Sequence, residues 1–229
     1  MKWKSARATL RLHPWHPHAW QVQSLLLAYP DDRFAGHLDL AARVAATLPE
    51  PVARPLLRFT AHAARTPTAD LAAAYVATFD HRKRCCPYLT YYAHGDTRQR
   101  GTALLRLKQT YTAAGWRLGD DELPDHLAVV LEFAAGAPDT GARLLTEHRA
   151  GLELLRLALT DDDAPWAPVL DSVSATLPGL AGDDREAVLR LAAQGPPEEQ
   201  VGLDPYAAPS SPPSSSPVFL PDPVVGGPR

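Results

Sequence analysis

The sequence predicts an all-α fold, a single helical bundle of about eight to ten helices, and three observations predict it. Alanine, leucine and arginine are plentiful and isoleucine is absent, a composition that favours helices over strands. Apolar residues recur at helical spacing in one segment after another, as in Leu123, Leu127, Val130, Leu131 and Ala134. Proline, glycine or a capping side chain stands at most segment ends.

Taken in order, residues 1–17 read as a flexible arm, because Pro14 and Pro17 oppose a helix there. A first helix covers 18–29, with Trp20, Leu26 and Leu27 to bury, and Pro30 stops it. A second covers 36–48 and ends at Pro49, and a third covers 52–65. Thr66 reads as an N-cap and Pro67 as the first residue of a fourth helix that runs to Phe79. The stretch 80–95 is irregular, with the charged run Asp80 to Arg84, then Cys85-Cys86-Pro87, and Gly95 at its end. Asp96 reads as the cap of a helix to about Ala114, closed by Gly115, with Gly101, Leu104, Leu107, Tyr111 and Ala114 at helical spacing.

The run Glu122-Leu123-Pro124-Asp125-His126 reads as the opening of the next helix, with Pro124 in its first turn and Asp125 at the positive end of its dipole. On that reading Asp125 and His126 lie at the edges of the Leu123–Ala134 stripe and border a groove. Leu144, Leu145, His148, Leu152, Leu155 and Leu159 make a further stripe, Trp166, Val169, Leu170, Val173 and Leu177 another, and a short helix closes the series at 183–193. Proline and serine dominate 195–229. That composition buries too little apolar surface to offset its ordering entropy, so the segment reads as a disordered tail after a helical domain at 18–194.

The net charge of −3 singles out neither nucleic acid nor a membrane surface. The only cysteines, Cys85 and Cys86, are adjacent rather than arranged as a disulfide framework, and no apolar region follows the basic N-terminus. Apolar runs are too short for a bilayer. These points lead to an expectation of a cytoplasmic protein.

Enzyme signatures are missing: the sequence has no Gly-rich phosphate loop, no HExxH and no GxSxG. Gly182-Asp183-Asp184 reads as a helix cap. His13, His16 and His18 are closely spaced but lack an organising element, and His94 with Asp96, or His126 with Asp125, falls short of a zinc ligand set. Cys85 and Cys86 read as small residues in a turn, with a redox-active pair activated by the basic neighbours as the alternative. Arg82, Arg84, Arg98 and Arg100 read either as solvated side chains or as a basic patch for an anionic cofactor or acidic partner. Tyr88, Tyr91 and Tyr92 suit packing, and equally the wall of a peptide groove.

The stretch Leu89-Thr90-Tyr91-Tyr92-Ala93-His94-Gly95-Asp96-Thr97-Arg98-Gln99-Arg100-Gly101 closely resembles the core signature of the NarJ family. Tyr75-Val76-Ala77-Thr78-Phe79-Asp80 before it, and Ala103-Leu104, Lys108 and Tyr111 after it, are similar to the flanking family pattern. Glu122-Leu123-Pro124-Asp125-His126-Leu127 and Val130-Leu131-Glu132-Phe133 resemble the second signature, although here proline directly precedes the aspartate. Cys85-Cys86 and the Pro/Ser tail stand outside the pattern. The likeness covers about residues 20–180.

The resemblance implies a TorD-like helical chaperone, one of the redox-enzyme maturation proteins that include TorD and DmsD, and not an enzyme. Its implied partner is the nitrate reductase catalytic (alpha) subunit, bound through its N-terminal peptide, with cofactor biosynthesis proteins as further partners. The molybdenum–guanine dinucleotide cofactor is then handled by the client, none being held permanently by the chaperone. Glu122, Leu123, Pro124, Asp125, His126, Leu127, Tyr91 and Tyr92 are the candidate peptide-binding residues. Two other readings stay open: a chaperone of another molybdoenzyme, and a small thiol or metal enzyme built on Cys85/Cys86 or the histidines.

Overall fold

A computed structural model describes residues 10–119, 122–180, 182–195 and 197. Helices form wherever apolar side chains recur every three or four residues, and they number eleven among the described residues, one more than the upper expectation. They are α1 (His16–Leu27), α2 (Phe34–Ala45), α3 (Glu50–Ala63), α4 (Thr68–Phe79), α5 (Leu89–His94) and α6 (Arg98–Ala113), then α7 (Leu127–Gly136), α8 (Pro138–Glu147), α9 (Arg149–Asp161), α10 (Ala167–Ala175) and α11 (Gly182–Gln194). A single 3-10 turn, Lys83–Cys85, separates α4 from α5. No described helix is long and apolar enough to cross a membrane.

α1 is the central strut, lying along α7 and touching α2 and α10, while α3 packs on α10 and α2. Trp20, Leu26, Leu56, Phe59, Leu131, Phe133, Leu145, Leu155, Trp166 and Val169 fill the interior. Several of the polar side chains in it pair across helices, which offsets the cost of burying them. Trp20 Nε1–H donates to Thr176 Oγ1 at 3.0 Å, and Trp166 Nε1–H donates to the Leu26 carbonyl at 3.1 Å. Gln23 Nε2 donates to Ser172 Oγ at 2.8 Å, and that hydroxyl donates to the Val52 carbonyl at 2.9 Å. This relay ties α1, α10 and α3 together.

Several expected boundaries shift for local reasons. Leu10, Leu12 and Trp15 pack on the core and His16 is buried, so the second half of the expected arm at 1–17 belongs to the bundle; residues 1–9 lie outside the described residues. Pro17 does not prevent α1, because in the first turn its missing N–H has no intrahelical partner to lose. His16 Nδ1 accepts the His13 N–H at 2.9 Å and helps start the helix. Pro67, not Thr66, is the N-cap of α4, and Thr66 Oγ1 instead donates to the His62 carbonyl at 3.0 Å, at the end of α3. Thr97 replaces the expected Asp96 as the residue entering α6. On α6 only Leu107 and Tyr111 of the expected stripe are buried.

The continuous stripe expected from Leu144 to Leu159 is two helices, because His148 ends α8 and begins α9 with a backbone too open for a continuous turn, φ −98° and ψ 15°. The closing helix is Gly182–Gln194 rather than 183–193. Apart from Gly195 and Pro197, the expected tail lies outside the described residues.

Candidate groove between the first and seventh helices

The segment expected to open α7 does not enter the helix. His126 is the N-cap, with extended backbone (φ −64°, ψ 130°), and its Nδ1 accepts the Ala128 N–H at 3.3 Å. Residues 123–126 instead form a turn ahead of the helix, closed by the His126 N–H donating to the Leu123 carbonyl at 3.1 Å. Tyr88 and His126 make an isolated antiparallel bridge: Leu89 N–H donates to the Asp125 carbonyl and Leu127 N–H to the Pro87 carbonyl, both at 2.9 Å. Tyr111 Oη–H fixes the same turn from α6 by donating to the Pro124 carbonyl at 2.6 Å. The two stretches singled out in the sequence, 89–101 and 122–133, are thus joined backbone to backbone.

Asp125 corrects the expectation of a groove-edge anchor. Its exposure is 0%, and its carboxylate turns inward. Oδ2 accepts from Thr90 Oγ1–H and lies 3.5 Å from the Arg100 guanidinium; Oδ1 has no hydrogen-bond partner among the described residues. Arg100 also donates to Asp96 at 3.1 Å and covers the Tyr88 ring at 5.5 Å. A carboxylate taken out of water needs partners of this kind. Asp125 is fully buried between Thr90 and Arg100 and presents no surface at the groove edge.

The surface next to this joint is a groove. Leu25 of α1 with Ala28 and Tyr29 just beyond its end, Tyr75 of α4, Ala128, Val129 and Glu132 of α7, and Tyr88, Glu122, Leu123 and His126 line a cavity of about 430 Å³. Ser24 Oγ–H donates to the Ala128 carbonyl at 2.8 Å and clamps α1 to α7 beneath it. Tyr75 Oη–H donates to the Leu27 carbonyl at 3.1 Å, and the Tyr29 ring stands edge-on to Tyr75 at 5.5 Å. Tyr88 stands edge-on to His126 at 5.3 Å. Leu123 and Tyr29 remain 43% and 52% exposed, so large apolar side chains face solvent here. Burial lowers the His126 pKa, with Asp125 and Asp80 opposing the shift. Burial and the adjacent Glu122 carboxylate raise that of Glu132.

Of the candidate peptide-binding residues, Glu122, Leu123 and His126 line the groove, with Tyr88 beside them. Leu127 and Pro124 are buried behind it. Tyr92 is not in it: its hydroxyl donates inward to the Arg84 and Cys86 carbonyls at 3.1 and 2.9 Å, pinning the 3-10 turn. Tyr91 faces a different hollow, with Lys83, Arg84, Leu157 and Asp161. Sequence reasoning missed Leu25, Tyr29, Val129 and Glu132. Val129 and Glu132 are one turn apart on α7, off the core stripe, and that spacing was the available signal.

Three of the four basic-patch candidates, Arg82, Arg84 and Arg100, are in ion pairs. Arg82 lies 2.8 Å from Asp162 and Arg84 pairs with the same carboxylate, while Arg100 faces Asp96 and Asp125. Cys85 is buried with its Sγ 3.6 Å from Asp162. Burial raises both thiol pKa values, outweighing the nearby arginines. Among the described residues no three His, Cys, Asp or Glu side chains gather as a metal site.

A sequence model of the nitrate reductase delta subunit family matches residues 45–171. Nitrate reductase-like protein NarX of Mycobacterium tuberculosis is 39% identical over 163 residues, 71% of this chain, and the chain spans 24% of that protein's length. The probable nitrate reductase molybdenum cofactor assembly chaperone NarJ of Bacillus subtilis is 35% identical over 159 residues, covering 69% of this chain and 86% of the relative. The NarJ chaperone of Escherichia coli is 31% identical, covering 66% and 65% of the two chains. Among solved structures, that of a redox enzyme maturation protein from Archaeoglobus fulgidus aligns with a TM-score of 0.53 over 76% of this chain and 98% of its own, at 23% identity, a likeness of fold. With the matched region spanning both joined signatures, the chain belongs to the nitrate reductase delta subunit family.

Proposed function

We propose that the protein is an assembly chaperone that performs no chemistry of its own. In this reading the α1–α7 groove holds the N-terminal peptide of the catalytic subunit of a respiratory nitrate reductase. The molybdenum cofactor is then inserted into that client before the complex docks at the membrane. The cofactor is cargo of the client, and no residue of this chain is assigned to it.

The observation that carries the reading is the groove itself. A largely apolar trough of peptide-anchor size with a few polar lining groups suits an amphipathic helix laid in by a few apolar side chains. The names of the Bacillus and Escherichia relatives supply the client class. The polar groups that an enzyme would use are otherwise engaged: Cys85 and Tyr92 are fasteners and His126 is a helix cap.

Calorimetric titration of the full chain with a synthetic N-terminal peptide of the reductase catalytic subunit tests it. Saturable binding is expected, with Leu123→Asp and Val129→Asp each weakening it at least about tenfold, as loss of a buried anchor does. Leu123 faces solvent in the free protein, so its replacement leaves the fold intact. Absence of binding, or binding indifferent to both substitutions, overturns the placement.

A further inference from the structure

The groove is acidic as well as apolar. Among the described residues its charged lining side chains are Glu122 and Glu132, and no lysine or arginine lines it. Glu132 lies one turn beyond Val129 on the same face of α7, so carboxylate and apolar floor are presented together. Burial and the Glu122 charge both oppose the ionisation of Glu132. Some carboxylates elsewhere have arginine partners, Glu50 with Arg54, Asp96 with Arg100 and Asp162 with two. Two like charges beside an apolar trough are costly in the empty protein and are relieved by a cation set between them.

We infer that the groove selects an amphipathic helix bearing a lysine or arginine at the edge of its apolar stripe, and that this cation seats between Glu122 and Glu132. The inference rests on the peptide-binding reading above and adds the chemistry of the partner. Apolar side chains at helical spacing meet Leu25, Leu123 and Val129. The cation, on the neighbouring face, fixes which way the helix lies and in which register. His126 faces the same groove as a helix cap whose Nδ1 already accepts a backbone N–H, so the carboxylates are the anchors available to a cation.

The test uses the full chain and three short synthetic amphipathic helices that are identical except at one edge position, which carries lysine, norleucine or glutamate. The lysine peptide is expected to bind about tenfold more tightly than the norleucine peptide, and the glutamate peptide more weakly still. Glu132→Gln should shrink the preference, and Glu132→Lys should reverse it in favour of glutamate. Both substitutions sit at the rim, and unchanged circular dichroism confirms their folding. Equal, tight binding of all three peptides overturns the cation seat and leaves the chaperone reading standing. Failure of all three, together with the reductase peptide, overturns both.

Discussion

The Arg100 guanidinium stands 3.5 Å from an Asp125 carboxylate that has no exposure, and this pair joins the two signature stretches. It holds Tyr88 and His126, which form one wall of the groove, without touching the groove itself. Asp125→Ala should lower the unfolding free energy by about 3 kcal/mol, the scale for breaking a buried charged pair. Because Thr90 serves the same carboxylate, Thr90→Val and Asp125→Ala should be less than additive when combined. Urea unfolding of the two single variants and the double variant measures this. Strict additivity would show that the hydroxyl and carboxylate do not act together.

Gly141 lets α8 lie directly on α7. A Cβ built there would come within 2.2 Å of the Ala134 Cα, which is backbone and has no flexible end to move. Gly141→Ala should therefore cost about 2 kcal/mol as the helices separate, in the range for overpacking, even though alanine is the better helix former. The readout is the urea midpoint. A variant as stable as the parent would mean that the α7–α8 approach is looser than described.

Much of the fold was legible because helical periodicity and punctuation act locally. The stripe Trp166, Val169, Leu170, Val173 and Leu177 is buried as read, and Gly115 follows α6 with a positive φ of 80°. The errors arose where long-range bonds decided. Residues 122–125 carry helix-opening chemistry, yet their backbone is taken by Leu89 and Tyr111. Arg82 and Arg84 form a basic run in sequence, but Asp162, far along the chain, takes both. Of the residues lining the cavity, Glu122, Leu123 and His126 were among the sequence candidates. The α1 wall was not, because nothing in the α1 sequence states that it will lie along α7.

The cysteine pair lends itself to a direct measurement. Cys85 is buried against Asp162, and burial raises the pKa of both thiols. At neutral pH both are protonated and poorly nucleophilic. Native protein should react with a thiol reagent far more slowly than urea-unfolded protein, with the half-buried Cys86 ahead of Cys85. Cys86→Ser should leave peptide affinity unchanged within about twofold, since no cysteine lines the groove. Rapid labelling of native Cys85, or loss of peptide binding on the serine exchange, would revive a thiol-based activity.

Stability should fall on the acid side, and the sign follows from His16 and His126. Burial lowers the pKa of each from the ordinary 6.5, so the folded state favours the neutral ring. Each neutral Nδ1 also accepts a backbone N–H, from His13 and Ala128 respectively, and protonation there removes the acceptor. With the folded pKa below the unfolded one, the unfolded chain binds more protons in between, so stability rises with pH across that interval. The contribution is complete above the unfolded pKa of 6.5 and is lost progressively as pH falls from there through the lowered folded values. His94, also lowered by burial, adds to the same slope. Unfolding midpoints measured from pH about 7.5 down to about 5 should therefore decline, and His126→Asn, which keeps a capping acceptor, should flatten the decline. A slope unchanged by His126→Asn would place the acid sensitivity elsewhere and remove the neutral imidazole from the account of how α7 begins.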